Sequence, residues 1–345
     1  MRHVIYFRAM LGVLAGRVTT SAALVAAILV ISASPASAAG TPTTTGTPTP
    51  TSPAFAKLKL TVPDAFIVGK QLVTVPGRAV HVHGIVRPFV PGESVLVRAS
   101  VNGRRFKTEH LRIRLAPGGR AGQFTAVLKS PKAGTVTVQV GHTRDAAMGA
   151  LLSFRRFTAV NPQAGFGSRG LFVELIQQRL AALHFYIPQT GVYDSGTGLA
   201  IDAYHRLLRW GTYETLDSRT ISYLLDGFGQ FKVRFPQNGK HAEGNLTLQL
   251  LALTEGSKVV AIYPISSGKP STPTILGNFR VYSKVPGYLP DGMYFSNFFI
   301  RGYAIHGYNP APDFPASHGC MRVPIQDAIS IFNWLEVGNW VDTYY

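Results

Sequence analysis

The sequence predicts a multidomain chain: a β-sandwich of immunoglobulin-like architecture, a small three-helix module and a mainly-β C-terminal domain. Three observations predict it. At 345 residues the chain exceeds the size at which a single hydrophobic core stops growing. Its apolar spacing changes from alternation to a helical period near residue 165 and returns to alternation near residue 230. A low-complexity tract sets an apolar N-terminal segment apart from everything that follows.

The N-terminal segment reads as an export signal. Arg2, Arg8 and Arg17 precede an apolar stretch from Ala22 to Ile31, and Ala36-Ser37-Ala38 supplies a small-residue cleavage site. The uninterrupted apolar run is well short of the ~20 residues that span a bilayer, so a signal peptide over 1–38 is preferred to a retained anchor. The mature protein is then expected to be secreted. Residues 39–54 are a Thr/Pro-rich linker with little to bury, and they read as an extended tether.

Composition narrows the partners. Hydrophobic residues make up 46% and charged residues 15%, which suits packed domains and excludes a disordered chain. Lys and Arg number 34 against 17 acidic residues. The formal charge of +17, less the three arginines of 1–38, leaves +14, a balance that favours anionic wall polymers or lipid headgroups. The basic residues are scattered, with no dense run and no nucleic-acid-binding signature, so nucleic acid is not an expected partner.

Residues 55–160 alternate in short apolar runs, as in Leu58/Leu60/Val62, Val80/Val82 and Val95/Val97, and Asn102-Gly103 is a hairpin signal. That pattern predicts the sandwich, without a disulfide because the chain has one cysteine. His81, His83 and His110 fit exposed strand positions, and no acidic cluster accompanies them. Residues 165–227 carry Val173, Ile176, Leu180 and Leu183 on one helical face and Ile201, Tyr204 and Leu208 on another. A third helix is capped by Asp217, buries Ile221, Leu224 and Leu225, and ends at Gly227.

Residues 230–345 return to strands, as in Thr247-Leu248-Gln249-Leu250 and Val259 to Tyr263, with one helix from about Pro324 to Val337. Its predicted apolar stripe is Ile325, Ala328, Ile329, Phe332 and Leu335, with Asp327 at the positive end and Gly338 as the stop. Cys320 lies just before it, in Ser317-His318-Gly319-Cys320-Met321-Arg322. A lone thiol in a polar, glycine-containing turn of an exported protein points to a reactive centre rather than a core residue. At a free pKa near ~8.5 such a thiol needs a neighbouring base. His318 and His306 are both near in sequence. His306, at the end of an apolar strand, can be brought opposite the sulfur and is the preferred base. Asp313 reads as a solvated loop carboxylate, and the amides of Gly319 and Cys320 are candidates for an oxyanion hole.

Two resemblances follow from these residues. The pattern of Gly167, Gly170, Val173, Leu175, Gln177, Leu180, Leu183, Gly191, Tyr193, Asp194, Thr197, Ala200 and Tyr204 resembles the small helical peptidoglycan-binding module. His184-Phe185-Tyr186 stands where that family usually has Gly-Tyr. His306-Gly307, Ser317 to Arg322 and Asp327 resemble the signature of the YkuD-type L,D-transpeptidase catalytic domain. Ser266-Ser267-Gly268-Lys269, Thr272-Pro273-Thr274 and Gly277-Asn278-Phe279 resemble that family's upstream strands.

This second resemblance implies Cys320 as nucleophile and His306 as base, with Gly307, Ser317, His318, Gly319 and Arg322 supporting them and Tyr288, Arg301 and Gly302 near the substrate. It implies transfer through a cysteine thioester to form 3-3 crosslinks, with peptidoglycan stem peptides and glycan as partners and carbapenem-type inhibitors. The alternatives are an L,D-carboxypeptidase using the same site and a non-catalytic wall-binding scaffold. No cofactor is implied, and no metal, because His306, His318 and Cys320 lack the spacing of a zinc site.

Overall fold

The computed structural model describes residues 55–345, so the expected signal peptide and tether lie outside the described residues. The first strands are β1 (Lys57–Thr61), β2 (Phe66–Val68), β3 (Gln71–Thr74), β4 (Ala79–Arg87) and β5 (Ser94–Val101). They continue as β6 (Arg104–Arg112), β7 (Arg114–Leu115), β8 (Gly122–Lys129), β9 (Gly134–His142) and β10 (Leu151–Ala159). One sheet has the order β1-β4-β8-β7 and the other β2-β3-β10-β9-β5-β6. Strict alternation along β5 and β8 sends Val95, Val97, Ala99 and Val101 from one sheet and Phe124, Ala126 and Leu128 from the other into a shared core. Asn102 and Gly103 turn β5 into β6 with both φ angles positive, at 48° and 78°, as a two-residue hairpin requires. Asp64, unanticipated in the sequence, holds His81 through a 2.7 Å contact to its Nδ1.

Three helices follow: α1 (Leu171–Ala182), α2 (Ser195–Leu207) and α3 (Ser218–Asp226). Asp194 and Asp217 accept the N–H of Thr197 and Thr220 at the starts of α2 and α3, satisfying donors that a helix start leaves open. Buried Gln177 accepts the Gly191 N–H and donates to the Val192 carbonyl and the Thr197 hydroxyl. Several residues that carried the resemblance to a wall-binding module therefore bond to one another and hold this fold. His184 has φ 68°, the left-handed region that glycine enters at low cost and a histidine rarely adopts.

The helices are fixed to the strands beyond them. Arg206, 7% exposed, pairs with Asp202 at 2.6 Å and donates to the carbonyls of Gln249 and Ile265. The core around Leu175, Ile201 and Tyr204 continues into Leu250, Ala252 and Ile262.

The C-terminal part comprises β11 (Lys240–Asn245), β12 (Leu250–Glu255), β13 (Lys258–Pro264), β14 (Gly277–Arg280), β15 (Ser283–Tyr288) and β16 (Tyr294–Ile300). It ends with β17 (Tyr303–Gly307), β18 (Met321–Val323), α4 (Ile325–Trp334) and β19 (Trp340–Tyr344). Two sheets, β13-β12-β11-β19-β14 and β15-β16-β17-β18, bury Leu251, Tyr263, Ile305, Met321, Ile331 and Val341 together.

Two expectations need correction here. Thr247 to Gln249 form a turn rather than a strand: Asn245 Oδ1 accepts the Leu248 N–H, and Gln249 has φ 52°. The last helix is shorter than predicted and rotated. Ala328 and Leu335 of the expected stripe are buried, but Asp327 and Ile331 join them while Ile329 is 41% exposed, because the glycine at 307 lets the helix seat on its Ala328 side. A methyl group at Gly307 would stand 2.7 Å from Ala328 Cβ.

Candidate active site

The site is built where β17 and β18 run parallel, His306 opposite Arg322. A parallel pair cannot be joined by a tight hairpin, so the chain must cross over between them. That crossover, residues 308–320, brings the Ser317-Cys320 turn back beside the end of β17. The upstream motif anchors the turn from the other side. Ser267 O accepts the Ser317 N–H at 2.9 Å, Ser317 O accepts the Lys269 N–H at 3.0 Å, and the Thr272 hydroxyl donates to the same carbonyl at 3.1 Å.

Within the turn, buried Ser317 works at both ends. Its hydroxyl donates to the Cys320 carbonyl at 2.6 Å and accepts the Gly319 N–H at 3.0 Å. Gly319 has φ 119°, and a Cβ there would lie 1.8 Å from the Tyr303 ring, so only glycine fits both the backbone and the neighbour. This geometry corrects the expected oxyanion hole. The Gly319 amide is already engaged by Ser317, which leaves the Cys320 amide as the free donor of the pair among the described residues.

Cys320 and His306 line one cavity of about 670 Å³, with Asp291, Met293, Arg301, Gly302, Tyr303, Tyr308, Ser317, His318 and Arg322. The thiol donates to the Gly302 carbonyl at 3.8 Å and accepts the Ala304 N–H at 3.4 Å. Burial pushes its pKa up, so the resting sulfur is the neutral thiol.

His306 is 3% exposed, and its Nδ1 donates to the Gly307 carbonyl at 2.9 Å. A carbonyl can only accept, so the proton is fixed on Nδ1 and the lone pair on Nε2. Burial first, and the Arg322 charge in addition, lower its pKa to about 4, and the imidazole is neutral at rest. The pair is therefore a thiol and a neutral acceptor rather than a preformed ion pair. Such an arrangement can remove the sulfur proton only as the sulfur attacks.

The other expected residues divide. Arg301, Gly302, His318 and Arg322 join the cavity. His318 is exposed, and its Nε2 takes a hydrogen bond from Lys269 Nζ at 3.3 Å. Arg322 lays its guanidinium over the Tyr308 ring at 4.0 Å, which holds a cation at the cavity wall. Tyr288, 66% exposed, stands outside the lining and packs on Tyr294. Asp291, Met293, Tyr303 and Tyr308 were not anticipated. They come from the β15–β16 connection, the start of β17 and the crossover, and no local motif marks them.

Residues 239–342 match the sequence profile of the YkuD family, the L,D-transpeptidase catalytic domain. This stretch is a YkuD domain. The match bears out the resemblance read from His306-Gly307 and Ser317 to Arg322. Among solved structures, the YkuD-containing chain is similar to an L,D-transpeptidase from Xylanimonas cellulosilytica at 29% identity, over 53% of this chain and 100% of that one, with a TM-score of 0.49. It is similar to the catalytic domain of the E. faecium L,D-transpeptidase acylated by ertapenem at 26% identity, over 31% and 97% of the two chains, with a TM-score of 0.27. An L,D-transpeptidase from Mycobacterium smegmatis is 13% identical over 83% and 100%, with a TM-score of 0.28. No curated protein matches the chain.

Proposed function

We propose that this protein is an exported peptidoglycan L,D-transpeptidase that forms 3-3 crosslinks through a thioester on Cys320. The observation that carries the reading is the convergence of Cys320 and a tautomer-locked His306 on one cavity of a YkuD domain.

In the first step the Cys320 sulfur attacks the carbonyl of the third stem residue while His306 Nε2 takes the thiol proton. The Cys320 amide faces the oxygen on which charge develops. The tetrahedral adduct collapses, the amide C–N bond breaks, and the imidazolium returns the proton to the amine of the departing D-alanine. In the second step the side-chain amine of another stem attacks the thioester carbonyl, loses its proton to His306, and expels the Cys320 sulfur. Arg301, Gly302 and Arg322 are the proposed contacts to the stem peptide.

In this reading residues 1–38 direct export, 39–54 tether, 55–160 act as a spacer or contact module, 165–227 bind wall material, and 230–345 catalyse. The +14 charge of the mature chain suits anionic wall polymers, and carbapenems are the expected inhibitors. The test is incubation of the mature protein with tetrapeptide-containing wall fragments, followed by muropeptide analysis. Dimers linked between third residues are expected. Tripeptides without dimers would replace transfer to an amine by transfer to water, and unchanged fragments would overturn the proposal.

A further inference from the structure

We propose that the distal end of the β5/β9 sheet binds a divalent transition-metal ion through Glu93, His142 and Asp145. One donor atom from each of the three lies within 4.8 Å of the others. Glu93 immediately precedes β5, His142 ends β9, and Asp145 sits in the connection to β10. His142 pairs with Leu151 at the start of β10, whose nine residues run ~27 Å to Ala159, next to the helices. The site therefore lies at the far end of that strand from the helical part.

His142 is the observation that points to a ligand. Its side chain is 8% exposed, and its Nδ1 donates to the Ser94 carbonyl at 3.0 Å. That bond places the ring proton on Nδ1 and leaves the Nε2 lone pair for a ligand, the second-shell arrangement found behind metal-bound histidines. Nε2 is buried and has no hydrogen-bond partner, although Asp145 Oδ2 stands 3.3 Å away. Two ligands ~2.1 Å from one tetrahedral ion are about 3.4 Å apart, so this spacing fits a shared ion. Glu93 Oε2 stands 3.6 Å from Nδ1, on the Ser94 side of the ring, and reaches the ion from there as the outer member of the cluster.

The carboxylates are pre-positioned. Asp145 Oδ1 accepts the N–H groups of Ala147 and Met148, and Met148 is fully buried in the sandwich core, so Oδ2 is held toward His142. Two carboxylates converge on the imidazole, a donor set that suits a divalent cation. One imidazole with two carboxylates suits Zn²⁺ or Mn²⁺ better than Ca²⁺, which takes six to eight oxygens. Bound there, the ion clasps the β9–β10 connection to the start of β5.

The experiment is calorimetric titration of the tag-free, chelator-stripped chain with ZnCl₂, beside Asp145→Asn, His142→Gln and Cys320→Ala. Asp145→Asn can keep the Oδ1 bonds that shape the loop, so it tests the site without depending on the buried His142→Gln variant folding. One ion per chain is expected for the wild type and Cys320→Ala, with at least a tenfold loss of affinity in Asp145→Asn and His142→Gln. Co²⁺ bound at this site should give visible d–d bands without a thiolate charge-transfer band. Wild-type affinity in Asp145→Asn, no binding by the wild type, or binding lost only in Cys320→Ala would overturn the proposal.

Discussion

Asp327 should make the YkuD domain lose stability as pH rises through neutrality. It lies in the first turn of α4, where a carboxylate is ordinarily favoured by the helix dipole, yet it is 6% exposed and burial pushes its pKa up to about 7. In the unfolded chain it titrates near ~3.9. A group whose folded pKa is raised contributes its stability below the unfolded value and loses it as pH rises through the folded one. A gap of about 3 pH units corresponds to ~4 kcal/mol at alkaline pH. About 2.5 kcal/mol of that is lost between pH 5 and pH 8. Asp327→Asn removes the titration, so the difference in unfolding free energy should grow by that amount in favour of the variant. Urea denaturation across this range, followed by the fluorescence of Trp334 at the end of α4, measures it. Equal pH slopes for the two proteins would refute the burial argument.

Three further outcomes follow from contacts elsewhere. Ser317→Ala strands the buried Gly319 amide and the Cys320 carbonyl, at ~1–3 kcal/mol for each group, and should slow carbapenem acylation at least tenfold by stopped-flow. Arg206→Met leaves Asp202 uncompensated between the helices and the catalytic sheets, and chemical denaturation should show a loss of ~3–5 kcal/mol that Asp202→Leu largely restores. His184→Gly relieves a left-handed backbone and should be neutral or stabilising by up to ~1 kcal/mol, while His184→Val lowers the melting temperature.

The sequence made some of this legible because its signals are local. Ser317 to Cys320 mark a tight turn by residue type alone, and the Ser317 hydroxyl closes that turn in the structure. Asp217 and Gly227 bracket α3 as helix punctuation predicts. What stayed hidden depends on neighbours distant along the chain. Asp291 and Tyr308 join the cavity only because β16, β17 and the crossover fold around it. The Gly319 amide looked free until the Ser317 hydroxyl was seen to occupy it. Ile329 belongs to a helical stripe by spacing, but the direction from which α4 is buried is set by the space at Gly307. Glu93 and His142 are brought together by strand pairing that no spacing rule anticipates.

In the proposed reaction Cys320, deprotonated by His306, is the acylated nucleophile. The most direct test of this role is the intact mass of the mature protein after incubation with a carbapenem, with the adduct located by peptide mapping. A single adduct on Cys320 is expected, with none on Cys320→Ala and a strongly slowed adduct on His306→Ala. An equal adduct on Cys320→Ala, or one mapped to another residue, would contradict it.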